Sequence, residues 1–326
     1  MRYGAFIPQG WRLDLVGIDR SEHWPTMLEV ARALESSGYE SAWVFDHFHT
    51  VPIATQEASY EAWTLMAALA ATTDTVRLGQ MCTSNSYRSP SYLAKIAADI
   101  DVISNGRLEM GIGAGWYEEE YVGYGYEFPK PSIRIGQLEE GVEIMRRMWT
   151  EEVVAYEGTY YQLEGAISNP KPVQGSIPMW IAGGGEQLTL RVAAKYADYT
   201  NFGLQLDKFV HKSSVLEAHC ADVGRDFDDI TRSAMFTMLI DEDASVVAGK
   251  LDEYEAKLTD LVGEEWAQRS RGSIEENGVL GTPEQVVEQL RPWQDAGMGY
   301  IIAYFPDAGY DRTSIDLLAK AVIPSL

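Results

Sequence analysis

Residues 41–50, from Ser41 to Thr50, read SAWVFDHFHT, and this stretch decides the fold. Ala42, Trp43, Val44 and Phe45 form a short apolar run that ends abruptly in Asp46 and His47. A helical pattern and the turn residue Gly38 precede it, so the run suits a buried parallel strand whose polar end faces a functional surface. In a barrel of such strands, chemistry gathers at the C-terminal ends. His47 is therefore a candidate acid or base, because imidazole changes charge near neutral pH. The alternative is that Asp46 caps the following segment and His47 is a hydrogen-bonded buried histidine.

Outward from this stretch, strand and helix patterns alternate along the whole chain. Residues 2–8 (RYGAFIP) read as a first strand, and Trp24 to Ser37 has helical spacing. After the second strand come a helix over Ser59 to Thr73 and a third strand over Val76 to Ser84. A helix begins at Pro90, and a fourth strand runs from Arg107 to Gly115. Its glycines permit close backbone approach. Trp116 to Pro131 is an aromatic and acidic loop, a rim for a site or simply packed surface. Next are an amphipathic helix from Ile133 to Trp149 and a hairpin from Val153 to Ala166 that turns at Gly158.

The fifth strand, Pro178 to Ala182, runs straight into Gly183, Gly184 and Gly185, with a helix expected from Glu186 to Tyr196. Strand, glycine loop and helix N-terminus together suit an anion, through free amides and the helix dipole. An ordinary tight turn is the alternative. A sixth strand over Ala197 to Gly203, a helix over Leu206 to Val223 and a seventh strand over Thr231 to Ile240 follow. Residues 241–280 are helical and charge-rich, either folding over the strand ends or forming a solvated outer pair. A helix from Pro283, an eighth strand from Tyr300 to Phe305 and a last helix from Arg312 to Val322 complete the series.

Eight strands alternating with helices predict an α/β fold, a (β/α)8 TIM barrel with insertions, as a single domain over residues 1–326. An open doubly wound sheet is disfavoured, because no GxGxxG follows the first strand and the Gly113 and Gly115 pair lacks the third glycine.

Composition narrows the function. Twenty-six Lys and Arg against 49 Asp and Glu leave a formal charge of −23, which argues against nucleic acid or an anionic membrane as partner. The start, MRYGAFIPQGW, lacks a secretory pattern, and Cys82 and Cys220 are the only cysteines, so a reduced cytoplasmic location is expected. The five histidines show no HExxH and the cysteines no CxxC, so no metal is expected. An anionic ligand needs a local site, and Arg88, Lys95, Arg107 and Arg191 stand near predicted strand ends or the helices that follow, where they meet a ligand or balance neighbouring carboxylates.

FDHF at Phe45 to Phe48, GRLEMGIGAGWYEEEY from Gly106 to Tyr121, IAGGG at Ile181 to Gly185 and GTPEQVVEQL from Gly281 to Leu290 together resemble the bacterial luciferase-like family, and within it the oxidoreductases that use the deazaflavin coenzyme F420. The resemblance covers nearly the whole length. It implies an eight-stranded barrel, a redox cofactor lying at the strand ends and a homodimer. It places Asp46 and His47 beside the reactive ring, a non-proline cis peptide at Met81-Cys82 under the ring, and cofactor contacts at Thr83, Ser84, Gly113, Ala114, Gly115, Trp116 and Gly183 to Glu186. Members often carry glutamate where this chain has Trp116. Trp116, Tyr117 and Tyr121 either stack on a ligand or pack.

The expected activity is hydride transfer between F420 and a small organic substrate. The alternatives are an FMN-dependent monooxygenase of the luciferase type and a non-catalytic flavin-binding barrel.

Overall fold

Strands β1 (Arg2–Phe6) and β2 (Ser41–Val44) flank helix α1 (His23–Ser36) in a computed structural model that describes residues 1–203 and 205–326. The chain continues with α2 (Ala62–Thr72), β3 (Arg77–Gln80), β4 (Thr83–Ser84), α3 (Pro90–Ile103), β5 (Leu108–Gly113), α4 (Glu118–Gly123) and α5 (Pro131–Thr150). Then come the hairpin strands β6 (Val154–Glu157) and β7 (Gln162–Ala166), β8 (Met179–Ala182), α6 (Thr189–Tyr196), β9 (Tyr199–Asn201) and α7 (Leu206–Val223). The last part holds β10 (Thr231–Ile240), α8 (Ala244–Val262), α9 (Glu264–Asn277), β11 (Val279–Gly281), α10 (Pro283–Asp295), β12 (Tyr300–Tyr304) and α11 (Thr313–Leu317). The fold is the α/β (β/α)8 barrel with insertions that the alternation predicts.

The chain divides into two compact units. The first comprises Met1–Tyr60, Gly203–Val210 and Arg232–Leu326. Its parallel strands run in the order β11-β10-β12-β1-β2, with Arg2 opposite Tyr300, Phe6 opposite Trp43 and Ser233 opposite Tyr300. Every residue of β2 and β12 is buried, as the unbroken apolar runs require of strands covered on both faces. The polar groups inside are matched: Ser41 Oγ lies 2.6 Å from the Tyr300 hydroxyl and accepts the Trp43 indole N–H at 2.5 Å. Helices α8 and α9 pack over the strand-end side of this unit. Leu258 joins Leu13 and Ala267, while Val247, Leu251 and Ile274 join Leu239 at the end of β10. That arrangement favours the covering role over a solvated outer pair.

The second unit comprises Glu61–Phe202 and His211–Thr231, with parallel strands β3, β5, β8 and β9 side by side and β4 also paired to β5. Inside it, the buried carboxylate of Glu109 pairs with Arg77 and accepts the Trp180 indole N–H at 2.6 Å. A charge this deep persists because it is both paired and hydrogen-bonded. Proline stands at the first turn of α3, α5 and α10, and Gln285 Oε1 takes the Thr282 N–H at 2.9 Å in the GTPEQ stretch.

The third strand is found as β3 and β4, and the peptide between Met81 and Cys82 is cis, as the resemblance implies. Three local expectations are corrected. The aromatic loop contains helix α4, whose first turn of three glutamates suits a helix N-terminus. Helix α6 begins at Thr189 rather than Glu186. The region from 241 to 280 ends in a short strand, β11, paired with β10.

Candidate functional site

In the first unit, β2 delivers Asp46 and His47 just beyond its last residue, with Asp46 buried and His47 half-buried. The backbone here is fixed by Gln9. Its side-chain amide donates to the Phe45 carbonyl at 2.8 Å and to the Tyr60 carbonyl at 2.6 Å, and its carbonyl accepts the Phe45 N–H at 2.7 Å. The His47 ring lies flat against Trp11, centroids 4.2 Å apart and planes 5° from parallel. Trp11 meets Phe45 at 4.3 Å, and Phe45 stacks on Phe6 at 3.9 Å. The aromatic ladder therefore leads from the core of β1 to the imidazole.

Beyond Trp11, the Arg12 guanidinium stands over three rings, 5.2 Å from Trp11, 5.2 Å from Phe45 and 4.6 Å from Tyr304. Asp14 is buried nearby and accepts the N–H groups of Gln9 and Gly10 at 3.1 and 2.6 Å and the Tyr304 hydroxyl at 3.2 Å. Burial pushes its carboxyl up against the pull of those bonds, and it pushes the Tyr304 phenol well above its ordinary value. Gln9, Trp11 and Arg12 were missed from sequence; the signal was the polar stretch QGWR directly after an apolar strand end.

In the second unit, three groups of expected site residues converge. Ser84 stands opposite Gly113 in the β4–β5 register, and Ile112 opposite Ile181 in the β5–β8 register, so Met81–Ser84, Gly113–Trp116 and the loop after β8 share one end of the sheet. Gly113 lets its neighbours approach closely, since a Cβ there would lie 2.8 Å from Cys82 Sγ and 3.4 Å from the Ala182 carbonyl oxygen. Thr83 donates to the Gln80 side chain, and Ser84 Oγ lies 2.7 Å from the Tyr121 hydroxyl. Tyr121 is fully buried against Tyr87 and Phe128, so it packs. Trp116 is 61% exposed and stacks on Tyr117 at 5.1 Å. Burial, with Glu119 and Glu120 beside it, pushes the Tyr117 phenol up to about 12.

The glycine loop is more selective than the sequence suggests. The Gly183 N–H is already bonded to the Asn201 carbonyl at 3.0 Å, so it is not a free amide. Among the described residues, the N–H groups of Gly184, Gly185 and Glu186 donate to no acceptor. A Cβ on Gly184 would run into the ammonium end of Lys212, which reaches across from α7. Among the described residues Lys212 has no ion pair or hydrogen bond, so these amides and this cation are grouped as an anion's binding would require. His211 and His219 hold Glu186 on its far side, the first 3.2 Å from its carboxylate and the second 2.7 Å from its carbonyl. Sequence reading missed Lys212, because nothing in a helical stretch tells which lysine faces a loop.

Of the four basic positions singled out, Arg107 is removed. Its guanidinium donates to the carbonyls of Ala70, Thr73, Val76 and Ser104 and to the Thr73 hydroxyl at 2.7–2.9 Å, at the start of β5 and away from Gly113. Arg88 pairs with Glu61 at 2.5 Å and Lys95 with Asp99 at 3.3 Å. Arg191 is exposed on α6, next to the glycine loop in sequence. Among the described residues no group of histidines, cysteines and carboxylates is placed to hold a metal ion.

Comparison with known proteins follows the same outline. A family model described as luciferase-like monooxygenase matches residues 1–299. An F420-dependent glucose-6-phosphate dehydrogenase of Nocardia farcinica is 30% identical over 321 residues, spanning 92% of this chain and 93% of that protein. A 5,10-methylenetetrahydromethanopterin reductase of Archaeoglobus fulgidus is 28% identical over 90% of this chain and 93% of its own. Among solved structures, an F420-dependent secondary alcohol dehydrogenase in complex with an F420-acetone adduct superposes with a TM-score of 0.79 at 21% identity, covering 99% of this chain and 98% of that one.

Proposed function

Since this chain belongs to the luciferase-like monooxygenase family, we propose that it is an oxidoreductase moving a hydride between coenzyme F420 and a small organic substrate. The observation that carries the reading is the likeness, over 92% of this chain, to sequence relatives described as F420-dependent. The residues present fit the cofactor's chemistry. The loop amides of Gly184 to Glu186, which bond no acceptor among the described residues, together with Lys212 suit its phosphate.

When bound, F420 supplies a carbon centre that accepts or donates a hydride. The chain's own part is positional and protonic. Asp46 orients or hydrogen-bonds at the end of β2, and His47, held flat by Trp11, gives or takes the proton that accompanies hydride transfer. Met81, Cys82, Thr83, Ser84, Ala114, Gly115 and Trp116 line the remaining cofactor contacts, with Trp116 standing where relatives often have glutamate. We further infer that residues 1–326 act as one domain and that the protein is a cytoplasmic homodimer. Exposed Val122 and Tyr124 support the dimer, and Cys82 and Cys220, which form no disulfide, support the compartment. No described helix is long and apolar enough to cross a membrane.

Separate fluorescence titrations of the cofactor-free protein with F420 and FMN test the reading. Tight F420 and weak FMN binding is expected. The reverse order replaces it with a reduced-flavin monooxygenase, and F420 binding without turnover on any carbonyl or alcohol panel replaces it with a sequestering barrel.

A further inference from the structure

The first unit contains a cavity of about 550 Å³, within the range of small-molecule sites, between the loop after β1, helix α8 and the segment after β12. Leu13, Val16, Leu239, Leu258 and Pro306 make much of its wall apolar, and the phenols of Tyr254 and Tyr310 add surface that is apolar in body and polar at the tip. It lies one residue from the catalytic candidate: Arg12 lines it, Trp11 is Arg12's chain neighbour, and Trp11 carries His47 on its face.

The charges in this cavity are unevenly matched. Lys250 is committed to Asp307 at 3.0 Å and to Asp311 at 2.5 Å. Asp14 spends both oxygens on the two backbone N–H groups and the Tyr304 hydroxyl. Glu253 is solvent-exposed. Two cations are left over. Arg12 makes no hydrogen bond or ion pair among the described residues, and its Nε is buried without a partner. Among the described residues Lys257 donates only to the Tyr310 hydroxyl, at 2.5 Å, and stands 4.2 Å from that ring's centre. In a chain with a formal charge of −23, two half-buried cations left without a carboxylate are unexpected, because a nearby acidic side chain would ordinarily be recruited.

We propose that this cavity is the substrate pocket and that it selects a small organic molecule with an apolar body and one oxyanion, carboxylate or phosphate, received by Arg12 and Lys257. The proposal rests on the function proposed above and names the substrate class for it. The geometry of Arg12 supports it further. A guanidinium stacked over aromatic rings keeps its N–H edge available for a two-pronged grip on an oxyanion, and the rings hold it without consuming those donors. Burial pushes the Lys257 ammonium down, and the carboxylates that act on it through space, Asp14 and Glu57, are not within ion-pair distance. An incoming anion supplies the missing counter-charge. Seated on Arg12, the substrate has its other end held near the Trp11 and His47 stack.

The test is binding of benzoate, phenyl phosphate and neutral benzyl alcohol to the full-length protein, by calorimetry, once without cofactor and once with F420 bound. The two anions are expected to bind at least roughly tenfold tighter than benzyl alcohol, and Arg12→Gln and Lys257→Gln each to lose roughly tenfold for the anions only. Comparing benzoate with phenyl phosphate identifies which oxyanion the pocket prefers. Lys320→Gln, on the exposed surface, serves as the control for general charge effects. Equal affinity for the neutral and anionic probes, or anion affinity unchanged in Lys257→Gln, overturns the proposal even if Arg12→Gln fails to fold. Anion binding without any F420 binding removes the functional reading and leaves the pocket's preference standing; F420 binding without anion preference removes only the pocket assignment.

Discussion

The imidazole of His47 and the indole of Trp11 are stacked face to face, 4.2 Å apart and 5° from parallel. This contact fixes the ring plane of a histidine at a strand end, where orientation decides whether a proton can be passed. Trp11→Leu keeps the site apolar but removes the flat support. Turnover is expected to fall by roughly tenfold or more with F420 affinity little changed, measured by single-turnover kinetics beside a binding titration. A parallel loss of F420 affinity assigns Trp11 to the cofactor instead.

Lys212 stands over the glycine loop and has no ion pair among the described residues. Lys212→Gln is expected to weaken F420 binding by roughly tenfold and to flatten its dependence on salt, because an exposed charge pair is screened by added ions. Gly184→Val is expected to weaken binding as well while leaving folding nearly intact, since the new side chain meets the flexible end of Lys212 rather than backbone. Thermal melts run with the titrations separate the two effects.

Arg107, just before β5, holds four backbone carbonyls and one hydroxyl at the ends of α2 and α3 and just before β3. Arg107→Met leaves these acceptors without their donor, at a cost of about 3 kcal/mol or more by urea unfolding. F420 affinity of the folded fraction is expected to match the parent, which distinguishes a structural arginine from one that binds the cofactor.

How much of this was legible depends on what each feature needs. The barrel was, because unbroken apolar runs such as AWVF and YIIAYF, spaced by amphipathic helices, have few other ways to be buried. Ser41–Val44 and Thr231–Ile240 lie where their runs predict. The cis peptide at Met81-Cys82 was reached only through resemblance, since no local composition signals it. Residues whose importance comes from partners distant in sequence were out of reach. Arg107 reads like any basic strand-edge residue until its acceptors at 70, 73 and 76 are known, and Lys212 is one of several polar positions on α7. Arg12 is the sharper case, because its significance lies in the carboxylates that do not meet it.

Burial raises the Asp311 carboxyl, but bonds from Lys250 and Thr313 outweigh it and hold the group at about 2, below its ordinary 3.8. A carboxyl lowered in this way contributes stability that is fully present above its unfolded value and is lost as pH falls through about 2. Lys250→Met removes the main partner of both Asp311 and Asp307. The carboxyl carbon of Asp311, followed by NMR, is then expected to titrate near or above its ordinary value, and acid unfolding to begin at higher pH than in the parent. An unmoved titration shows that Thr313 alone lowers the group.

The decisive variant for chemistry is His47→Asn. Asparagine keeps some hydrogen bonding but loses the ring stacked on Trp11 and carries no group that changes charge near neutral pH. If His47 moves the proton coupled to hydride transfer, turnover falls by roughly two to four orders of magnitude while F420 affinity and thermal stability change little. A histidine kept for packing forecasts the opposite pattern, because losing its contacts with Trp11 lowers stability and binding together. Stability, F420 affinity and single-turnover rate measured on one preparation separate the two. A folded Asn variant that binds F420 and reacts at the parental rate removes the catalytic assignment and shifts attention to Asp14 and Tyr304, the buried acid and phenol beside Arg12.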